Sequence, residues 1–234
     1  MAIFSFISIF TSDMKLIISA LAKIIMGLGL MAAMMFAPAG TFAFPGAWRL
    51  IALLFIPMLV IGVVFLIWNP ETLSKRLRSK EDRSKQKGVV ALSGLLFIIS
   101  FILAGLDFRW GWSQMPEWMI WTAGGAFLIS YGLYAEVMRE NQWLSRTIEV
   151  MEDQKVVSTG LYGIVRHPMY TATIGMFLAM PLIMGSWWAF IVMIPYIPVI
   201  AIRIKDEEEL LAKELDGYQE YKTRVRWKLF PGVW

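Results

Sequence analysis

Hydrophobic runs dominate the chain, and the polar residues that interrupt them set out its elements. The predominantly apolar stretches Ile24–Phe44, Ala47–Trp68, Val89–Leu106 and Trp118–Val137 each come close to the ~20 residues a helix needs to cross a hydrocarbon core. They predict four membrane spans. A fifth stretch, Tyr170–Ile202, is uncharged for longer than one span requires; as a single helix it would reach roughly 50 Å against a core of about 30 Å. It must therefore fold back or project from the bilayer. Gly185-Ser186 supplies the turn, and Pro181, Pro195 and Pro198 predict kinks in the two short arms of a tight helical hairpin.

Before the first span, Ser5, Ser8, Ser12, Lys15, Ser19 and Lys23 recur at spacings of three and four, opposite Phe4, Ile7, Phe10, Ile17, Ile18 and Leu21. That periodicity predicts a helix lying in the headgroup plane, with extension of the first span as the alternative. A cleaved signal peptide ending near Ala37-Pro38-Ala39 is disfavoured by Asp13 and Lys23 and by the lack of a basic start. The fold expected is an all-α, polytopic membrane bundle of about six membrane helices, with an N-terminal interfacial helix and a C-terminal cytoplasmic cap. Residues 1–138 would hold the interfacial helix and four spans, and residues 139–234 the loop, hairpin and amphipathic C-terminal helix, in one continuous membrane domain.

Composition sharpens this picture. A chain with 58% hydrophobic residues and no cysteine excludes disulfides, iron–sulfur clusters and thiolate zinc sites, and a single histidine leaves no His-x-x-x-His pair. The net charge of +4 gathers beside apolar segments: Lys75, Arg76, Arg78, Lys80, Arg83, Lys85 and Lys87 all lie between the second and third spans, while residues 40–46 carry no charge. Basic loops stay in the cytoplasm, so alternation from this one places both termini, residues 139–167 and residues 203–234 on the cytoplasmic side. On the far side, Asp107-Phe108-Arg109-Trp110-Gly111-Trp112-Ser113 reads as a structured turn in an aromatic belt, with a local Asp107–Arg109 ion pair as a candidate contact. Gly27-Leu28-Gly29 lies within a span without a preceding strand, so it predicts helix packing and not a dinucleotide loop.

Two polar clusters bracket the hairpin. Arg166-His167 precedes Pro168, which biases His167 away from helical geometry and suits the first position of a helix. The N–H groups of that helix start favour an anionic group, while the bland alternative is a loop that meets lipid headgroups. In Arg203-Ile204-Lys205-Asp206-Glu207-Glu208, Arg203 and Glu207 share a helix face and can pair. Glu208 falls beside Ile204 and Leu211, where a buried carboxylate needs a partner such as an arginine or a cationic ligand. A solvated cytoplasmic face is the alternative for both glutamates.

These residues resemble the isoprenylcysteine carboxyl methyltransferase family, whose C-terminal half is also similar to phospholipid N-methyltransferases. The resemblance rests on Asn141, on Gly160-x-Tyr162-x-x-Val165-Arg166-His167-Pro168-x-Tyr170, and on Gly185-Ser186. It continues through Arg203-Ile204-x-x-Glu207-Glu208-x-x-Leu211, Tyr218-x-x-Tyr221 and Arg226 before Pro231-Gly232, and so covers about the last hundred residues. It implies S-adenosylmethionine-dependent methyl transfer at the cytoplasmic face to a lipophilic acceptor, first of all carboxyl O-methylation of an isoprenylcysteine-like substrate. Carried across, Asn141, Tyr162, Val165, Arg166, His167, Tyr170 and Glu208 would bind the cofactor, and Arg203 and Glu207 would act catalytically beside the acceptor. A phospholipid, amine or thiol acceptor, an NADPH-dependent reductase of the sterol-reductase type, and a non-enzymatic membrane protein or transporter remain as alternatives. Against the last, no span holds a charged pair deep in its middle.

Overall fold

The computed structural model describes residues 2–68, 84–144, 148 and 150–234. The basic loop from which the orientation was argued falls largely on residues 69–83, outside the described residues. Among the described residues, eight α-helices follow in order: α1 Ala2–Ala39, α2 Pro45–Trp68, α3 Ser84–Trp110, α4 Glu117–Glu140, α5 Pro168–Ile183, α6 Trp187–Met193, α7 Tyr196–Glu214 and α8 Tyr218–Arg224. A 3₁₀ turn, Gly160–Gly163, lies between α4 and α5. No strand occurs among the described residues, so the all-helical membrane architecture expected from the hydrophobic pattern is observed.

Among the described residues, four segments are long and apolar enough to cross a membrane: Leu21–Ala39, Pro45–Val64, Gln86–Trp110 and Trp187–Glu214. The last joins α6 and α7 across a break at Ile194-Pro195, where proline cannot donate to the helical ladder. Helix α4, expected as a span, has the length, with 24 residues, but its glycines, tyrosines and terminal charges dilute its apolarity and it is not among the four. Outward-facing Ile25, Leu30, Ile56, Val63, Leu95, Ile98 and Ile191 are exposed, as lipid-facing positions of a bundle would be.

The separate interfacial helix predicted for residues 3–23 is not found. One unbroken helix runs from Ala2 to Ala39, because nothing before Pro38 interrupts its backbone ladder. The side chains of Ser5, Ser8, Ser12, Lys15 and Ser19 lie outside the described ones. Among the described residues nothing packs against Gly27 or Gly29, so the helix packing expected there is not seen.

The hairpin turn falls where expected. Gly185 adopts φ +82° between α5 and α6, a left-handed conformation that side chains resist, and Ser186 caps α6 by accepting from Ala189 N. At this end Asp107, 2% exposed, accepts from Ser113 N at 2.7 Å and from the hydroxyls of Ser113 and Ser186. Asp107 thus serves the loop and the hairpin turn as a hydrogen-bond hub, and Arg109 lies instead against Gly40. Gly175 of α5 leaves no room for a Cβ against Ser130 Oγ of α4, so these helices pack close across the residue 138 boundary. A core of Met35, Phe44, Leu50, Phe101, Phe127 and Ile183 fills this end. A second core, with Tyr170, Ile174, Tyr196, Val199 and Ile204, leads toward the opposite end, where Gln86, Arg166-His167 and α7 meet.

Candidate active site

The site is built where α5 begins. Pro168 is its first residue and His167 its N-cap, with φ −128° and ψ 59°. This extended stretch has no helical ladder to serve it, and residues 225–229 supply the partners: Arg166 N donates to Trp227 O and His167 N to Lys228 O, both at 2.9 Å. Thr171 Oγ1 donates to Leu229 O at 2.8 Å.

The side chains continue the same junction. Arg166 Nε donates to Glu208 Oε1 at 2.7 Å, and its Nη1 donates to the carbonyls of Val225 and Arg226 at 2.7 and 2.8 Å. His167 Nε2 lies 3.1 Å from the same carboxylate oxygen, and Lys228 Nζ lies 3.1 Å from Oε2. An ionised carboxylate only accepts, so the Nε2 of His167 carries the hydrogen. Glu208 is 6% exposed and is satisfied from three directions. It is the buried carboxylate with an arginine partner that its position beside Ile204 suggested, and two further donors accompany that arginine.

Arg203 and Glu207 share a face of α7 as their spacing requires, and Tyr170 of α5 joins them. Tyr170 OH donates to Glu207 Oε2 at 2.6 Å and accepts from Arg203 Nε at 2.9 Å. On the other side, Asn141 Nδ2 donates to Tyr162 OH at 2.9 Å, and Tyr221 OH donates to Tyr162 O at 2.7 Å.

These groups line a cleft of about 820 Å³ of atom-free space, part of it open to solvent. Of the residues singled out in the sequence, Asn141, Tyr162, Arg166, His167, Tyr170, Arg203 and Glu207 border it, while Val165 and Glu208 are buried outside its lining. Tyr218 and Trp143, to which no role was given, also border it. The i,i+3 spacing of Tyr218 and Tyr221 on α8 was the available signal for the tyrosine; nothing marked Trp143. Tyr218 OH is buried without a hydrogen-bond partner. Burial, and then the Glu208 and Glu207 carboxylates, push its phenol far above the ordinary tyrosine range. It is therefore a neutral donor facing the cleft with its hydrogen bond unmade.

A second cavity, about 1770 Å³ with its open margin included, runs between α2, α3, α4, α5 and α7. Met58, Ile61, Val89, Phe97 and Phe177 make its walls mainly apolar, and Gly62 and Gly94 leave it wide. Met169, Tyr170 and Arg203 border both cavities. Among the described residues, no cluster of three histidine, aspartate or glutamate side chains could hold a metal.

Fold and site together define a polytopic helical membrane protein with a polar cleft at one end that meets an apolar groove within the bundle. Residues 118–216 match the family model of the phospholipid methyltransferases, the family that takes in the isoprenylcysteine carboxyl methyltransferases. The match fits the resemblance read from the motifs and supports methyl transfer at a membrane as the general activity. A search of curated proteins finds no significant match.

Proposed function

We propose that the protein transfers a methyl group from S-adenosylmethionine to a lipophilic acceptor at the cytoplasmic face of a membrane, with the carboxylate of an isoprenylcysteine-like molecule as the favoured acceptor. The observation that carries this reading is the shared border of the two cavities at Met169, Tyr170 and Arg203. A polar cofactor and an apolar tail need unlike surroundings, and a transfer requires their reacting ends to meet. The cytoplasmic assignment is supported by the basic residues between the second and third spans.

The donor set suits this cofactor. Asn141 and Tyr162 offer polar contacts at one wall, and the unpartnered Tyr218 hydroxyl offers a donor at another. Arg166 and His167 border the cleft beside Tyr170, with Glu208 holding both side chains in place. When bound, S-adenosylmethionine supplies an electrophilic methyl group. Arg203, 8% exposed, is the cation at the junction and orients a carboxylate. Such an acceptor is already ionised, so it needs no general base, and the protein contributes alignment and exclusion of water. Tyr170 fixes the Arg203 guanidinium and keeps Glu207 bound. An amine acceptor, as on a phospholipid, is the second reading; the Glu207 carboxylate, 2.6 Å from the Tyr170 hydroxyl, would then take the amine proton.

The test is ligand binding to protein in nanodiscs, S-adenosylmethionine and NADPH separately, followed by methyl transfer to farnesylcysteine and phospholipid acceptors. Saturable S-adenosylmethionine binding with transfer lost in Arg203→Ala is expected. NADPH binding without S-adenosylmethionine binding would replace this reading with a reductase.

A further inference from the structure

Residues 222–234 mix cations with large apolar side chains and carry no aspartate or glutamate. Trp227, Phe230, Val233 and Trp234 are all exposed, Val233 by 78%. The backbone fixes them there. Leu229 is buried in the second core and its carbonyl accepts from Thr171, in the first turn of α5, so the segment is pinned at one point and turns back on itself beyond it. The amides of Lys228, Leu229 and Phe230 donate to Trp234 O at 2.9, 3.0 and 3.3 Å, Trp234 N donates to Phe230 O, and Gly232 takes φ +81° at the bend. This closed turn presents Phe230 and Val233 outward.

The charges beside it are of two kinds. Lys228 is held by Glu208 and lies 4.9 Å from the centroid of the Trp234 ring. Arg224 and Arg226 are exposed, and among the described residues neither has an ion-pair partner. The level of the turn follows from α5. Arg166 and His167, whose amides donate to Trp227 O and Lys228 O, lead directly into a helix of 16 residues without a charge. The turn therefore stands where the bundle passes from hydrocarbon to headgroups. Exposed aromatic side chains edged by uncommitted cations match a layer that is partly apolar and carries negative charge.

We infer that residues 224–234 form a seat on the bilayer surface, in which Trp227, Phe230, Val233 and Trp234 enter the headgroup layer and Arg224 and Arg226 bind anionic lipid headgroups. Seat and site share one strap, because the carbonyls of Trp227 and Lys228 hold the amides of Arg166 and His167.

The chain has no cysteine, so Val233→Cys takes a single fluorescent label on the full chain in nanodiscs. Quenching by nitroxide-bearing lipid and by a neutral water-soluble quencher is compared in phosphatidylcholine with and without phosphatidylglycerol. The label should be quenched from the lipid and shielded from water, and the ratio of seated to free segment should rise with phosphatidylglycerol. Arg224→Gln and Arg226→Gln should each lower that ratio about fivefold in low salt, as one cation at an anionic surface implies, and high salt should erase the difference. Helical circular dichroism shows that each variant is folded, and the comparison of lipids carries the test for any that is not. Quenching from water in both lipids would leave the segment in solvent. Quenching from lipid that ignores phosphatidylglycerol and both arginines would make the contact purely apolar, and protection from both quenchers would put a protein, a second copy included, against the turn. Each of these three results overturns the inference.

Discussion

Replacing Glu208 by glutamine tests whether this carboxylate fastens residues 225–229 over the site. Three donors converge on its two oxygens, Arg166 Nε at 2.7 Å, His167 Nε2 at 3.1 Å and Lys228 Nζ at 3.1 Å, at a position 6% exposed. Glutamine keeps the shape and one acceptor, but it removes the charge and sets an amide NH₂ against a donor. Removing one partner of a buried ion pair costs about 3–5 kcal/mol, and the retained carbonyl places this change near the lower figure. At 1.4 kcal/mol per factor of ten, opening of the segment should rise about a hundredfold. Arg226 and Lys228 are trypsin sites within it and Arg224 borders it, and cleavage there follows the open population when reclosure is fast. Trypsin time courses in nanodiscs should therefore show Glu208→Gln cut at these sites about a hundredfold faster than wild type, with the exposed neighbour variant Glu209→Gln unchanged. A Glu208→Gln rate within twofold of wild type would refute the argument. Loss of S-adenosylmethionine affinity without faster cleavage would instead return Glu208 to direct cofactor contact.

Tyr218→Phe removes a buried hydroxyl that has no partner; the ligand-free protein should melt at the same temperature or slightly higher by tryptophan fluorescence, while S-adenosylmethionine binds about three- to tenfold more weakly. Tyr218 and Tyr221 both have phenols raised by burial first of all, so their packing stabilises the cap fully below the unfolded value of ~10 and the contribution is lost as pH rises beyond it. Alkaline melting above that pH should begin with protease sensitivity around α8. Gly94→Leu fills the apolar groove and should raise KM for long-tailed acceptors at least several-fold, with S-adenosylmethionine affinity unchanged in the same preparation. Asp107→Ala strips the donors of Ser113 and Ser186 of their acceptor; it should lower stability by about 1.5–3 kcal/mol, the range for a hydrogen bond to a charged group, and leave cofactor affinity intact, because the residue lies at the other end of the bundle.

Much of the architecture was readable because hydrocarbon imposes length and apolarity on every span. The hairpin turn was equally open to reading, since a glycine followed by a capping serine is the local chemistry of such a turn, and Gly185 takes the left-handed backbone it alone tolerates well. Helix α1 runs without a break from its polar-striped first half into the span, because a polar stripe says which way side chains point and nothing about where a helix stops. The site was legible one residue at a time but not in its connections. The i,i+4 spacing put Arg203 and Glu207 on one face, whereas the link between them is Tyr170, from a different helix. Lys228 and Gln86 had no local signal at all, one in an irregular segment and the other among lysines that read as a solvated loop. Their contacts, with Glu208 for the one and with Arg203 and Asp206 for the other, join residues far apart in sequence, which periodicity does not report.

The backbone pairing of Arg166 and His167 with Trp227 and Lys228 also sets an order of events during biosynthesis. Every membrane helix is synthesised before the partners of these two amides exist, so the stretch that leads into α5 must wait with these N–H groups without their protein acceptors. The cleft therefore closes as a late step, after insertion of the bundle. A nascent chain stalled before residue 227 would carry its spans and present an unfinished polar end, which is the kind of surface that membrane quality-control proteases and chaperones recognise.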